Sequence, residues 1–264
     1  MSDASPLLVG RSPDPRVARV SLNRPALRNA FDDVLIDLLT RAARELGGDP
    51  SVRVVVLAGE GSVFCAGADL NWMKRMAAYG LEENRRDAEA LGAMFEAWNL
   101  LPKPVVGAVQ GAALGGGTGL AAVCDVVVAQ EGTLFGTTEV RLGLVPAVIS
   151  PYVVAKIGQS SARAWFLTGG RYDAAEALRC GLVHRVVPPE EMDRAVGEVV
   201  AACLDGGPEA LAEAKVLART AGSLPPSEVR GVTVESIARR RVSAEGQEGM
   251  RAFLERRAPQ WGKP

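Results

Sequence analysis

The chain has 264 residues and carries 30 Lys and Arg against 31 Asp and Glu, a net charge of -1. That balance supplies no electrostatic attraction to nucleic acid or to an anionic membrane, so a small or locally bound ligand is the expected partner. The length suffices for one large domain, or one domain with a small helical appendage, and for a sizeable core.

The opening MSDASPLLVGRSPDP has neither a basic start followed by an apolar stretch nor an Arg-rich amphipathic pattern. No export or organelle signal is therefore expected, and a cytoplasmic location follows. Val17 to Leu22 (VARVSL) and residues 53–58 (RVVVLA) are β-branched runs of strand length, the second apolar enough to be buried on both faces. Between them Phe31, Val34, Leu35, Leu38, Leu39, Ala42 and Leu46 recur at helical spacing, with Asn29 placed to cap and Gly47-Gly48 to stop the helix. The pattern continues with a helix over residues 81–100, a strand at 105–109, a glycine-rich turn into a short helix, and a strand at 125–129. Strands alternating with helices make this an α/β chain.

Residues 104–124 contain no charge over 21 positions, which on length alone could span a membrane. Six glycines and a central Gln110 favour instead a buried strand, a turn and a short helix. Beyond about Tyr152 the strand signal thins to residues 182–187. Residues 190–204, 208–221 and 228–257 read as helix, with no linker that would free them as a mobile domain. The expected division is a core over 1–195 and a helical region over 196–264.

Several catalytic machines are excluded by missing residues. There is no GxSxG elbow and no GxxxxGK[ST] loop, and His184 is the only histidine, in a strand-like LVHRVV segment that favours a structural role. Cys65, Cys124, Cys180 and Cys203 lie far apart without a CxxC pair, so neither a metal site nor a disulfide framework is expected. What remains is two glycine-containing turns, each after a predicted strand: residues 62–70 (SVFCAGADL) and 111–120 (GAALGGGTGL). Small residues let a ligand approach the main chain and leave amides free to point at it, so two such turns could together hold one oxyanion. The second turn lacks GxGxxG spacing, which disfavours a dinucleotide.

Phe64-Cys65-Ala66-Gly67-Ala68-Asp69, then Gly111 to Gly117 with Cys124-Asp125, then Phe135-Gly136 to Leu144-Val145-Pro146, resemble in order and spacing the successive signatures of the crotonase (enoyl-CoA hydratase/isomerase) superfamily. The likeness runs from about Val17 to the C-terminal EGMRAFLERRAPQW. It implies a spiral of repeated ββα units with a C-terminal helical oligomerisation region, assembled as a homotrimer or a dimer of trimers. It implies an acyl-CoA substrate, with the CoA thioester as substrate and no separate cofactor or metal. The amides of Ala68 and Gly116 would form the oxyanion hole, Glu139 would be the acid/base, and Arg24, Ala26, Arg28, Ala66, Asp69, Leu70, Gly115 and Gly119 would line the substrate and CoA path. Charged residues near Arg256 and Lys263 would reach a neighbouring subunit's CoA.

One departure from the family pattern matters for the chemistry. Many hydratases of the family place one glutamate just after the glycine run and another in the FGxxE segment. Here the second aligns with Glu139 and the first with Gly119. A positioned acid/base is worth roughly 10² to 10⁴ in rate, so the loss requires an explanation. Glu139 could act alone through one water; a carboxylate of the substrate, or Glu82, Glu83 or Asp87, could substitute; or the reaction could need one base, as double-bond isomerisation does. The alternative for Glu139 itself is a surface glutamate paired with Arg141. The segment from Glu139 to Tyr152 is similar to a bacterial subgroup of methylglutaconyl-CoA hydratases, which implies hydration of a branched or carboxylated 2-enoyl-CoA. Alternatives are a 3-enoyl to 2-enoyl-CoA isomerase and a thioester-binding relative with little catalysis.

Overall fold

The computed structural model describes residues 5–262. The strands in chain order are β1 (Leu7–Arg11), β2 (Val17–Leu22), β3 (Val54–Gly59), β4 (Val105–Val109), β5 (Ala112–Leu114), β6 (Val126–Gln130), β7 (Leu134–Gly136), β8 (Tyr172–Asp173) and β9 (Arg185–Val187). The helices are α1 (Asp33–Gly48), α2 (Leu70–Met76), α3 (Leu81–Asn99), α4 (Gly116–Val123), α5 (Ser150–Thr168), α6 (Ala174–Arg179), α7 (Met192–Asp205), α8 (Pro208–Ser223), α9 (Pro226–Val242) and α10 (Ala244–Leu254).

Six strands form one sheet in the order β1-β2-β3-β4-β6-β9, antiparallel between β1 and β2 and parallel thereafter. A parallel sheet needs cover on both faces, and the alternation along β3 supplies apolar side chains to both. Val55 and Leu57 join the large core shared with α1 and α3, whereas Val54, Val56 and Ala58 join a second cluster with Val106, Val128 and Met192, Ala195, Val196 and Leu204 of α7. A smaller sheet has the order β5-β7-β8, and single parallel bridges join Phe31 to Ala68 and Cys65 to Ala113. Each turn of the spiral thus runs strand, short extended segment, helix, which is the ββα repeat expected.

The uncharged stretch 104–124 is divided among β4, β5 and α4, and among the described residues no helix is long and apolar enough to cross a membrane. The expected cap at Asn29 is corrected. Asp32 caps α1 by accepting from the Leu35 amide at 2.9 Å, and Gly47 and Gly48 lie in its last turn rather than beyond it. Asn29 is fully buried at φ 55°, where its Oδ1 accepts from the Arg24 amide at 2.8 Å and its Nδ2 donates to Glu60 O and Val63 O at 2.9 and 2.7 Å. The helix expected over 228–257 is two helices, broken at Ser243, whose hydroxyl caps α10. β1 was not anticipated, because it is an exposed edge strand without alternating burial. Residues 1–4 of the opening segment and Lys263 lie outside the described residues.

The C-terminal helices are tied to the rest of the fold by polar contacts. Arg53 donates to Leu204 O, Gly206 O and Trp261 O, Lys215 reaches Asp125 at 2.8 Å, and Arg219 donates to Asn99 O. Replacing Asn29 by Ala leaves three partly buried backbone groups without this partner, so a loss of about 2–4 kcal/mol is expected in urea-induced unfolding. A loss below half a kcal/mol would show that the loop closes without this side chain.

Candidate active site

The site lies where the two glycine turns meet at the C-terminal ends of β3 and β4. The turn after β3 is held on one side by residues 28–31: Ala66 N donates to Arg28 O, Phe31 N to Gly67 O, and Asp69 N to Phe31 O, at 3.0, 2.7 and 2.8 Å. On its other side Cys65 N donates to Ala112 O and Leu114 N to Cys65 O, both at 3.0 Å. This parallel register sets Cys65 beside Ala113, and three residues further along each segment come Ala68 and Gly116. The N–H groups of Ala68 and Gly116 find no hydrogen-bond acceptor among the described residues. For Gly116 the cause is general: it opens α4, where the first amides have no intrahelical carbonyl. Ala68 is exposed and Gly116 partly so.

Asp69 caps α2 by accepting from the amides of Asn71 and Trp72 at 2.8 and 3.1 Å. Burial alone would raise its carboxyl, but those two amides and the Arg24 guanidinium at 3.1 Å hold it below the usual range. Arg24 also pairs with Asp32 at 2.9 Å and donates to Ala30 O at 2.6 Å. Arg24 and Asp69 are thus engaged in the framework of the turn, while Ala26, Arg28 and Leu70 stand exposed at its rim. On the other side the buried Thr118 hydroxyl lies 2.7 Å from Ala113 O and 3.0 Å from Gly136 O, and it accepts the Gly136 N–H at 3.1 Å. It clamps α4 to β5 and β7 of the small sheet.

Glu139 opens the 3-10 turn Glu139–Leu142 after β7. A methyl carbon added to Gly115 would lie 3.3 Å from Glu139 Oε1 and 3.9 Å from Gly67 Cα, so both glycine turns and this carboxylate converge at one point. Gly115 also has φ 52° and ψ -120°, a combination that L side chains rarely adopt. Glu139 Oε2 is buried and has no partner among the described residues, and the buried Thr137 hydroxyl two residues earlier is likewise unpartnered among them. Burial raises the Glu139 carboxyl above its ordinary value, opposed only by its own amide, and no neighbouring charge contributes. A surface pair with Arg141 is therefore not what this residue forms.

Gly119 is buried within α4, against Phe95 and Ile149. Of the substitutes considered for a carboxylate there, Glu82 pairs with exposed Arg85 and Glu83 accepts the Gly80 amide at the start of α3. Asp87 accepts from the Trp72 indole at 3.0 Å, and burial raises its carboxyl. Thr118, Thr137, Phe95 and Ile149 were not singled out from sequence; a buried threonine or isoleucine leaves no spacing signal.

Other reactive groups are otherwise occupied. Burial pushes the Cys65 and Cys124 thiols up to about 12, too high for a nucleophilic thiolate. His184 Nδ1 accepts the Val127 amide at 3.0 Å, and burial lowers its pKa, so the ring is a neutral partner of β6. Among the described residues no group of three or more His, Cys, Asp or Glu is arranged to hold a metal ion. A surface cavity of about 440 Å³ lined by Arg11, Arg16, Arg53 and Trp261 lies at the opposite, N-terminal ends of the strands.

The family model described as enoyl-CoA hydratase/isomerase matches residues 14–264. A Thermus thermophilus protein provisionally named as an enoyl-CoA hydratase is 38% identical over 263 residues, covering 93% of this chain and 97% of that protein. The 2,3-dehydroadipyl-CoA hydratase of Escherichia coli is 34% identical over 257 residues, covering 97% and 98%. A crystal structure of an enoyl-CoA hydratase from Shewanella pealeana superposes with a TM-score of 0.92 at 38% identity, over 97% of this chain and 96% of that one.

Because burial raises the Glu139 carboxyl, the folded protein holds that proton more tightly than the unfolded chain. Its contribution to stability is present below the unfolded value near 4.5 and is lost as pH rises through the higher folded value. Glu139→Gln is therefore expected to raise the Tm near neutral pH, by an increment that shrinks toward about pH 4, as calorimetry at both pH values would reveal. An increment that grew on acidification would contradict the burial.

Proposed function

The chain belongs to the enoyl-CoA hydratase/isomerase family, and within it we propose a hydratase that adds water across the double bond of a branched or carboxylated 2-enoyl-CoA. The observation that carries this reading is the half-buried Glu139, one carboxylate oxygen of which is buried without a partner among the described residues, beside the unpaired amides of Ala68 and Gly116. In this reading the two amides bind the thioester oxygen. Ala26, Arg28 and the main chain at Ala66 line the CoA path, with Arg24, Asp69, Leu70 and Gly115 shaping it. The carboxylated class is supported by the relative whose name specifies dehydroadipyl-CoA, a 2-enoyl thioester with a second acid group. No cofactor is needed beyond the CoA carried by the substrate.

The chemistry balances with one carboxylate. Glu139 takes a proton from water as the water oxygen bonds to Cβ, and the double-bond electrons move through Cα to the thioester oxygen. The enolate charge rests on the two amides, a preorganised arrangement in which each donor is typically worth about 10² to 10³ in rate. As the carbonyl re-forms, Cα takes the proton back from Glu139. Desolvation suits the residue to both steps, because a carboxyl with raised pKa is a better base when ionised and still a competent acid.

Gly119 favours one second reading, a 3-enoyl to 2-enoyl isomerase, since moving a proton between two carbons needs a single base. Mass analysis of products in heavy-oxygen water distinguishes the two: uptake of label is expected, and turnover without label would establish isomerisation. Across a panel of short, branched and carboxylated 2-enoyl-CoAs, Glu139→Gln is expected to lower kcat about 10²- to 10⁴-fold on the best substrate. Wild-type turnover by that variant would remove Glu139 from the chemistry. Tight thioester binding without conversion of any panel member would favour a binding protein.

The same proposal includes a trimer or a dimer of trimers, with residues 196–264 as the assembly region beside a 1–195 core. Its support is apolar exposure on the last helices of the isolated chain, where Phe253 and Leu254 are 83% and 80% exposed and Val234, Ile237 and Val242 are also exposed. Light scattering is expected to give a multiple of three chains, and Phe253→Asp with Leu254→Asp to shift it toward the monomer; a monomeric wild type would refute the assembly.

A further inference from the structure

Gly119 sits inside α4, a helix position where glycine is unfavourable and alanine would ordinarily be preferred. Its φ is not in the left-handed region, so no backbone demand explains it. Space does. A carbon added at position 119 would run into Ile149 Cγ2, and would lie 2.9 Å from Phe95 Cε1 and 3.0 Å from Ile149 Cβ. Both neighbours are core residues, Ile149 at 3% and Phe95 at 0% exposure. Phe95 is in turn wedged between Phe31, edge-on with ring centres 6.3 Å apart, and Tyr152, tilted at 5.9 Å. Phe31 continues the wall to the first turn of α4, because its Cε2 would lie 2.7 Å from a carbon added at Gly116.

A site that had merely lost a side chain at 119 would hold a void or water there. Here the space is filled by a packed aliphatic group that precedes α5 and comes from a different turn of the spiral. The wall is also apolar, so a carboxylate at 119 would meet both a collision and a desolvation penalty. We propose that Ile149 is a positioning residue that, with Phe95, occupies the place of a side chain at 119 and makes this a one-carboxylate site by construction. It leaves Glu139 as the sole proton carrier beside the glycine turns. The catalytic half of this inference rests on the hydratase reading; the packing half does not.

The test pairs substitutions at the two positions in the full-length protein. Gly119→Ala is expected to lower the Tm by about 5 °C or more despite alanine's helix preference, and Ile149→Ala to lower it through a cavity. Combined, the two should regain at least half of the fall caused by Gly119→Ala, since each relieves the other. A Gly119→Ala protein as stable as wild type, or losses that simply add, would overturn the packing pair without any substrate being needed. The catalytic readout is the acid limb of the pH profile of kcat/KM on the best 2-enoyl-CoA. Wild type should follow a single ionisation, and Gly119→Glu combined with Ile149→Ala should show a second one or a displaced limb. An unchanged limb in a stably folded double variant would overturn the positioning role. Absence of turnover in wild type itself would instead sink the hydratase reading, leaving the Tm comparison to decide the pair.

Discussion

The register between Cys65 and Ala113 is the constraint on which the rest of the site depends. Two parallel backbone hydrogen bonds align the turn after β3 with the turn after β4, and everything three residues further on inherits that alignment. Shifting the pairing by one residue would carry Ala68 away from Gly116 and turn the intervening side chains to the opposite face. The register is protected by burial, since Cys65 and Ala113 are fully enclosed, and by the Thr118 hydroxyl, which binds α4 to β5 and β7 together. Asn29, Arg24 and Asp69 provide the same service on the other side. Their polar groups are spent on fixing loops, which is why a turn rich in small residues can keep one conformation.

Against this rigid frame Glu139 is held at an energetic disadvantage. Its carboxyl is desolvated, and among the described residues no cation compensates it and one oxygen has no partner. A chain selected for stability alone would pair such a group or replace it. Its retention next to unpaired amides is the pattern of a site in which unsatisfied polarity is reserved for a ligand. Asp87 is perturbed in the same direction but has the Trp72 indole as partner, so its polarity is already spent.

The Gly119 position links this chemistry to packing. The apolar wall of Ile149, Phe95 and Phe31 belongs to the main core, yet it ends at the residues that open α4. Core packing and the number of carboxylates beside the glycine turns are therefore one constraint.

Much of the fold was legible in the sequence, because it rests on local and periodic signals. The buried strands β2 and β4 are apolar runs with the bounds expected, α1 and α3 follow their helical spacing, and the ordered motifs from Phe64 to Pro146 identified the family. Glu139 and the two glycine turns could likewise be found by motif. What could not be read were the partners of side chains whose environment is built by distant segments. Asn29 has the residue type and place of a helix cap, yet it bridges Arg24, Glu60 and Val63, and the capping fell to Asp32. The edge strand β1 and the break at Ser243 escaped because exposure blurs the hydrophobic period. The sequence by itself determined that position 119 carries no carboxylate. Only the tertiary structure decided that no side chain fits there, because the space is closed by Phe95 and Ile149, residues 24 positions before it and 30 after it, which meet only when the spiral is packed.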